Sequence, residues 1–235
     1  MDKQEIEIEK ENKALTLNTV LIIFGIMGFL RTLIGMGNPA IEYYTQLSNY
    51  FALISATIYT FYLLKIRKER EKSKVKENEE ENENKEKART NTTIPKWVSI
   101  LKYSSTLSLL VTFLVVLFIL LPIYGLKIFV WLFFLGSNLF YHTLCPILTF
   151  ISFMFFEKHN IKGLRDNFRA IYFTIIYAII FITLNILKVV EGPYPFLMVY
   201  KQPVYMSIVW FILIVGGAFG LSMLIMKIKN KKENN

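Results

Sequence analysis

His142 is the one histidine inside an apolar run of this sequence, and Thr45 is one of several hydroxyl side chains at or within such runs. A threonine hydroxyl is a weak nucleophile and needs an adjacent base. An imidazole, which titrates near neutrality, is the usual base. A hydroxyl and an imidazole held as a pair could open an acyl bond, and the oxyanion so formed would need hydrogen-bond donors. Asn49 and Asn138, each one helical turn from a member of the pair, are the candidate donors, with Ser48 beside Asn49. No carboxylate lies within a span to orient the histidine as a triad would require; Glu42 stands near an interface. Two His and one Cys exclude a disulfide and a His/Cys zinc centre, so no metal or other cofactor is expected.

Spacing places these residues on helical faces. Asn138, His142, Cys145, Thr149 and Ser152 follow one another at intervals of 4, 3, 4 and 3, which is one face of a helix. Pro146 sits beside that stripe and can kink it. Thr45, Ser48, Asn49, Ala52 and Ala56 make a second stripe. Gly28, Thr32 and Gly35 share a face, and Gly216 and Gly220 have the G-x-x-x-G spacing of close helix packing. Each residue also has a bland reading. His142 makes a polar contact between helices, Thr45 caps or back-bonds a helix start, and Cys145 fills space. Arg31 pairs with Glu42 or snorkels, and His159 is an exposed loop residue.

The elements that must position these groups cross a membrane. The chain has 235 residues, 54% hydrophobic and only 19% charged, with a mean hydropathy of +0.41. Six stretches approach the roughly 20 apolar residues that span a bilayer: about 15–35, 44–65, 98–121, within 128–156, 168–190 and 205–226. None alternates as a barrel strand does. The fourth is overlong, so it tilts or its first residues lie along the interface. The expected fold is an all-α, polytopic bundle of six transmembrane helices. Residues 1–13 form an N-terminal tail, 14–66 hold spans one and two, and 67–97 are a charged linker. Residues 98–227 hold spans three to six, and 228–235 are a C-terminal tail.

The basic residues orient the bundle. Twenty-two Lys/Arg lie in the tails and the even-to-odd loops on one side, and three, Lys127, Lys188 and Lys201, lie on the other. The positive-inside rule then makes both termini cytoplasmic. The formal charge of +9 is an address for a membrane, not a nucleic-acid footprint, because no folded basic surface carries it. Membrane lipid is the expected partner; the sequence names no protein partner. The start of the charged segment after span two, KIRKEREKSK, can prolong that span as a solvated helix, and the sequon at Asn91 faces the cytoplasm. Abundant Lys, Asn and Ile fit an AT-rich bacterial genome, and hence a bacterial plasma membrane.

Three patches carry a family resemblance: Tyr44-Thr45-Gln46-Leu47-Ser48-Asn49, His142-Thr143-Leu144-Cys145-Pro146-Ile147-Leu148 and Pro193-Tyr194-Pro195-Phe196-Leu197. With six spans in order, the sequence resembles the superfamily of androgen-induced membrane proteins and fatty-acid-hydroxy-fatty-acid hydrolases, as a bacterial relative. The resemblance implies an intramembrane threonine hydrolase of fatty acyl esters, with Thr45 as nucleophile and His142 as base. Tyr194 and Phe196 then belong to the pocket entrance, in a turn stiffened by two prolines. Two other readings stay open: a non-catalytic membrane protein that binds lipid or another hydrophobic ligand, and a small transporter. A catalyst needs base and nucleophile within hydrogen-bond reach, a binder needs only the groove, and a transporter needs a continuous polar path.

Overall fold

The computed structural model describes residues 3–79 and 93–233. The middle of the charged linker and the Asn91 sequon lie outside the described residues. Every described element is helical, and none is a strand. Six helices are long and apolar enough to cross a membrane.

α1 (Lys3–Met36) and α2 (Tyr44–Glu79) hold 34 and 36 residues, or about 50 Å each at 1.5 Å per residue. Both therefore outrun a hydrocarbon layer of about 30 Å. The polar start of α1 and the KIRKEREKSK end of α2 project from the same end of the bundle, tied by Arg67 and Arg70 to Glu11. α3 (Lys96–Val115) runs through a π turn at Val116–Leu120 into α4 (Leu121–Tyr124). α5 (Phe129–Phe134) is short and stops where Leu135 turns extended and Gly136 takes a φ of +61°. The overlong fourth stretch is thus resolved by a break rather than by tilt alone. Its spanning part combines a π turn at Leu139–Leu144, α6 (Cys145–Ile151) and a second π turn at Ser152–Phe156. Pro146 offers no N–H to the helix, and the wider turn lies just before it. α7 (Leu164–Ile186) and α8 (Val204–Glu233) complete the bundle, joined by turns at Pro195–Leu197 and Val199–Lys201.

α3 is the central helix. Ser99, Lys102, Tyr103, Ser104, Ser105, Ser108 and Thr112 are among its buried residues. Small hydroxyls let neighbouring backbones approach and bond across helices, each such bond contributing about 0.6 kcal/mol on average. Ser105 meets Ser55 of α2 at 2.5 Å, Ser104 donates to the Ala170 carbonyl of α7 at 2.7 Å, and Thr112 meets Ser48 at 2.9 Å. Large apolar side chains such as Ile34, Ile54, Phe118 and Ile212 point outward, as lipid-facing residues do. Gly28 admits the Tyr141 ring against α1. Gly216 and Gly220 meet no neighbour, so the G-x-x-x-G spacing joins no helices within this chain.

Candidate functional site

A narrow apolar cleft opens between α3, α7 and α8 at the end where α2 begins. Its open interior is small: the space that the centre of a water-sized sphere can occupy is about 60 Å³. Its walls are aliphatic and aromatic: Val111, Val115, Leu120, Ile182, Trp210, Phe211 and Ile214. Most of its hydroxyls, those of Thr45, Thr112, Thr174, Tyr44, Tyr177 and Tyr194, gather around the start of α2, and Ser207 lines it from the first turn of α8.

Thr45, Tyr194 and Phe196 all line this cleft. The Tyr194 hydroxyl accepts the backbone N–H of Thr45 at 3.2 Å and lies 3.3 Å from its Oγ1. Both bonds are long for their types and are easily exchanged for a ligand's. Burial pushes the Tyr194 phenol up to about 12, so it remains a proton donor. The Tyr194 ring stacks on Phe196 at 5.1 Å, and Phe196 reaches Trp210. Gly192 seats this turn. A Cβ there would stand 2.6 Å from the Leu197 backbone.

Ser48 and Asn49 lie one turn deeper on α2 and do not line the cleft. Ser48 donates to the Thr45 carbonyl at 3.0 Å. The Asn49 amide donates to the same carbonyl at 2.8 Å and to the Tyr141 carbonyl at 3.3 Å. The five residues of the α2 stripe are all buried, as their spacing predicts.

His142 and Asn138 do different work. The last carbonyls of a helix lack partners within it. Three successive carbonyls of α5 are satisfied by the next helix: Trp131 by the Asn138 amide at 3.1 Å, Leu132 by His142 Nδ1 at 2.7 Å, and Phe133 by the Thr143 hydroxyl at 2.8 Å. A carbonyl only accepts, so Nδ1 carries the proton and Nε2 is left with a lone pair. His142 is buried, yet no hydrogen bond joins it to Thr45. Asn49 links the two segments through the Tyr141 carbonyl instead.

A second polar centre occupies the opposite end of the bundle, where the termini lie, and sequence reasoning missed it. Lys102 and Glu157 have fully buried side chains 3.6 Å apart. Asn18 of α1 joins them: its carbonyl oxygen accepts from Lys102 at 2.6 Å and its amide donates to Glu157 at 2.8 Å. Ser152 donates to Glu157 at 2.6 Å, and Lys229 of α8 donates to the Glu157 backbone carbonyl at 2.9 Å. Thr149 and Ser152, the inner part of the predicted stripe, feed this centre rather than the cleft.

The expectation of an exposed His159 is overturned. Its side chain is 1% exposed, stacked on Phe153 at 4.3 Å and near Tyr59. Its Nε2 stands 3.1 Å from Glu157 Oε2, off the line of a hydrogen bond. Burial drives the imidazole down to about 4, with Lys229 and Lys102 adding to the effect and Glu157 opposing it. Burial works against the Glu157 carboxylate too, but Lys102 and the hydrogen bonds outweigh it and hold the group low. Arg31 is exposed, and among the described residues it makes no ion pair with Glu42. Among the described residues no three His, Cys, Asp or Glu converge as metal ligands would. No family model, curated protein or solved structure matches this chain.

Proposed function

We propose that this chain is a multi-pass protein of a bacterial plasma membrane, with both termini cytoplasmic, that takes a lipid-derived hydrophobic ligand into the cleft beside Thr45. The cleft itself carries this reading: alkyl and aromatic walls suit an acyl chain, and hydroxyls at one end suit a polar group. The gathering of basic residues at the end that holds the termini supports the orientation. Trp210, on the cleft wall, provides the test. Trp97 and Trp131 are exposed and would report on lipid in general, so W97F/W131F leaves Trp210 alone. A brominated long-chain ester should quench Trp210 saturably in detergent, and A178F, which fills the cleft, should remove the saturable part. Quenching that never saturates, or that A178F leaves intact, rejects the reading.

A second reading, ester hydrolysis, is supported by the state of His142. With Nδ1–H held by the Leu132 carbonyl, Nε2 has the lone pair a base requires. In this reading Thr45 Oγ1 attacks the acyl carbon and Nε2 takes its proton. The proton passes to the departing alkoxide, and water releases the acyl group from Thr45. The resemblance at Thr45 and His142 supports it as well, with Asn49 and Asn138 held to helix carbonyls rather than aimed at an oxyanion. Purified protein should then hydrolyse a chromogenic medium-chain ester, and T45A and H142A should each abolish turnover. Saturable binding without turnover leaves the binding reading alone.

A further inference from the structure

We infer that the cleft selects uncharged lipids, a single chain ending in an alcohol or ester, and rejects ionised ones. The inference rests on the cleft being a ligand site at all. It follows from what lines the walls. Among the described residues, no Lys, Arg, His, Asp or Glu faces the cleft, and no carboxamide does. Every polar side-chain group there is neutral: hydroxyls and the indole N–H of Trp210. A carboxylate, sulfate or ammonium drawn into such a site loses its water and gains no opposite charge, a cost far above that of a hydrogen-bonded neutral group.

The hydroxyls are moreover arranged to meet a group that accepts. The Tyr44 hydroxyl is committed to Thr174 at 2.7 Å, and Tyr177 donates to the Glu42 carbonyl at 2.8 Å. Ser207 accepts from Gln202 at 3.0 Å, which leaves its proton free. Tyr194 accepts from the Thr45 N–H, so its own proton is free to donate to Thr45 Oγ1 or to a ligand oxygen. An ester carbonyl or an alcohol oxygen satisfies those protons without bringing charge. Two basic side chains of that end, Lys188 and Lys201, are engaged outside the cleft, over the Tyr200 ring and against Glu191.

The test is competition for the Trp210 site of the W97F/W131F protein, already loaded with the brominated ester. Hexadecanol and methyl hexadecanoate should displace it. Hexadecyl sulfate and hexadecyltrimethylammonium, charged at every pH, should be at least about tenfold weaker. S207K should reverse the order for the sulfate, because a cation then stands on the cleft wall. Equal displacement by the alcohol and the sulfate in the unsubstituted cleft overturns the inference. Failure of every compound to displace the probe, or no saturable loading, overturns the ligand site beneath it instead.

Discussion

The ammonium of Lys102 and the carboxylate of Glu157 face each other across 3.6 Å with neither side chain exposed, bridged by the amide of Asn18. A buried pair gives little net stability against an apolar replacement, yet removing one partner strands the other. K102M should therefore cost about 3–5 kcal/mol, and E157Q a similar amount. The double variant should recover much of the loss. Thermal unfolding in detergent, arranged as a double-mutant cycle, measures the coupling. Additive losses would show that the two groups do not interact.

His159 makes the fold acid-sensitive. Its imidazole is held at about 4, below its ordinary value near 6.5. As pH falls from about 6.5, the unfolded chain binds a proton that the folded chain refuses. Stability falls until about pH 4, by on the order of 2–3 kcal/mol. Glu157 has the lowered pKa of a paired carboxylate, so its contribution is intact over that window and is lost only at more acid pH. H159F keeps the stack on Phe153 and removes the titration. Its unfolding temperature should decline less between pH 6.5 and 4 than the parent protein's does. A parallel decline in H159F would place the acid sensitivity elsewhere.

Gly28 is required by its neighbour. A methyl group there would stand 2.2 Å from the Tyr141 ring, which is wholly buried and cannot swing aside. G28A should cost about 1–3 kcal/mol, the usual range for overpacking. G28A/Y141L should regain most of it. Gly35, with open space around it, is the control: G35A should leave stability nearly unchanged.

The turn over the cleft depends on Gly192. Any side chain there meets the Leu197 backbone, not a flexible group, so G192A should shift the turn and loosen the Tyr194–Thr45 contact. Faster proteolysis near residue 197 would report the shift. Release of the brominated probe should quicken about tenfold or less, without loss of the bundle. An unchanged release rate would separate the turn from the cleft.

The six spans were legible because a long apolar run has few alternatives in water or lipid. Residue-by-residue hydropathy understated α1 and α2, because a helix continues into solvent where polar residues no longer need lipid. Thr45, Tyr194 and Phe196 come together at the cleft. The α2 stripe and the His142-to-Ser152 part of the span-four stripe are inward faces, but a face does not specify its partner. Asn138 and His142 look inward to close off α5, an end that becomes visible only once Gly136 breaks the chain. The Lys102 centre was hidden because its contacts join residues as far apart as Asn18 and Glu157, 139 positions. The available signal was a lysine inside an apolar run, which must find a counter-charge, and a single glutamate at the end of the fourth span.

The three carbonyls of α5 held by Asn138, His142 and Thr143 have a mechanical consequence. The opposite side of that six-residue segment carries Phe129, Val130, Trp131 and Phe134 outward. The orientation of the imidazole is thus moored to an exposed apolar rim, so whatever presses on that rim has a direct lever on His142.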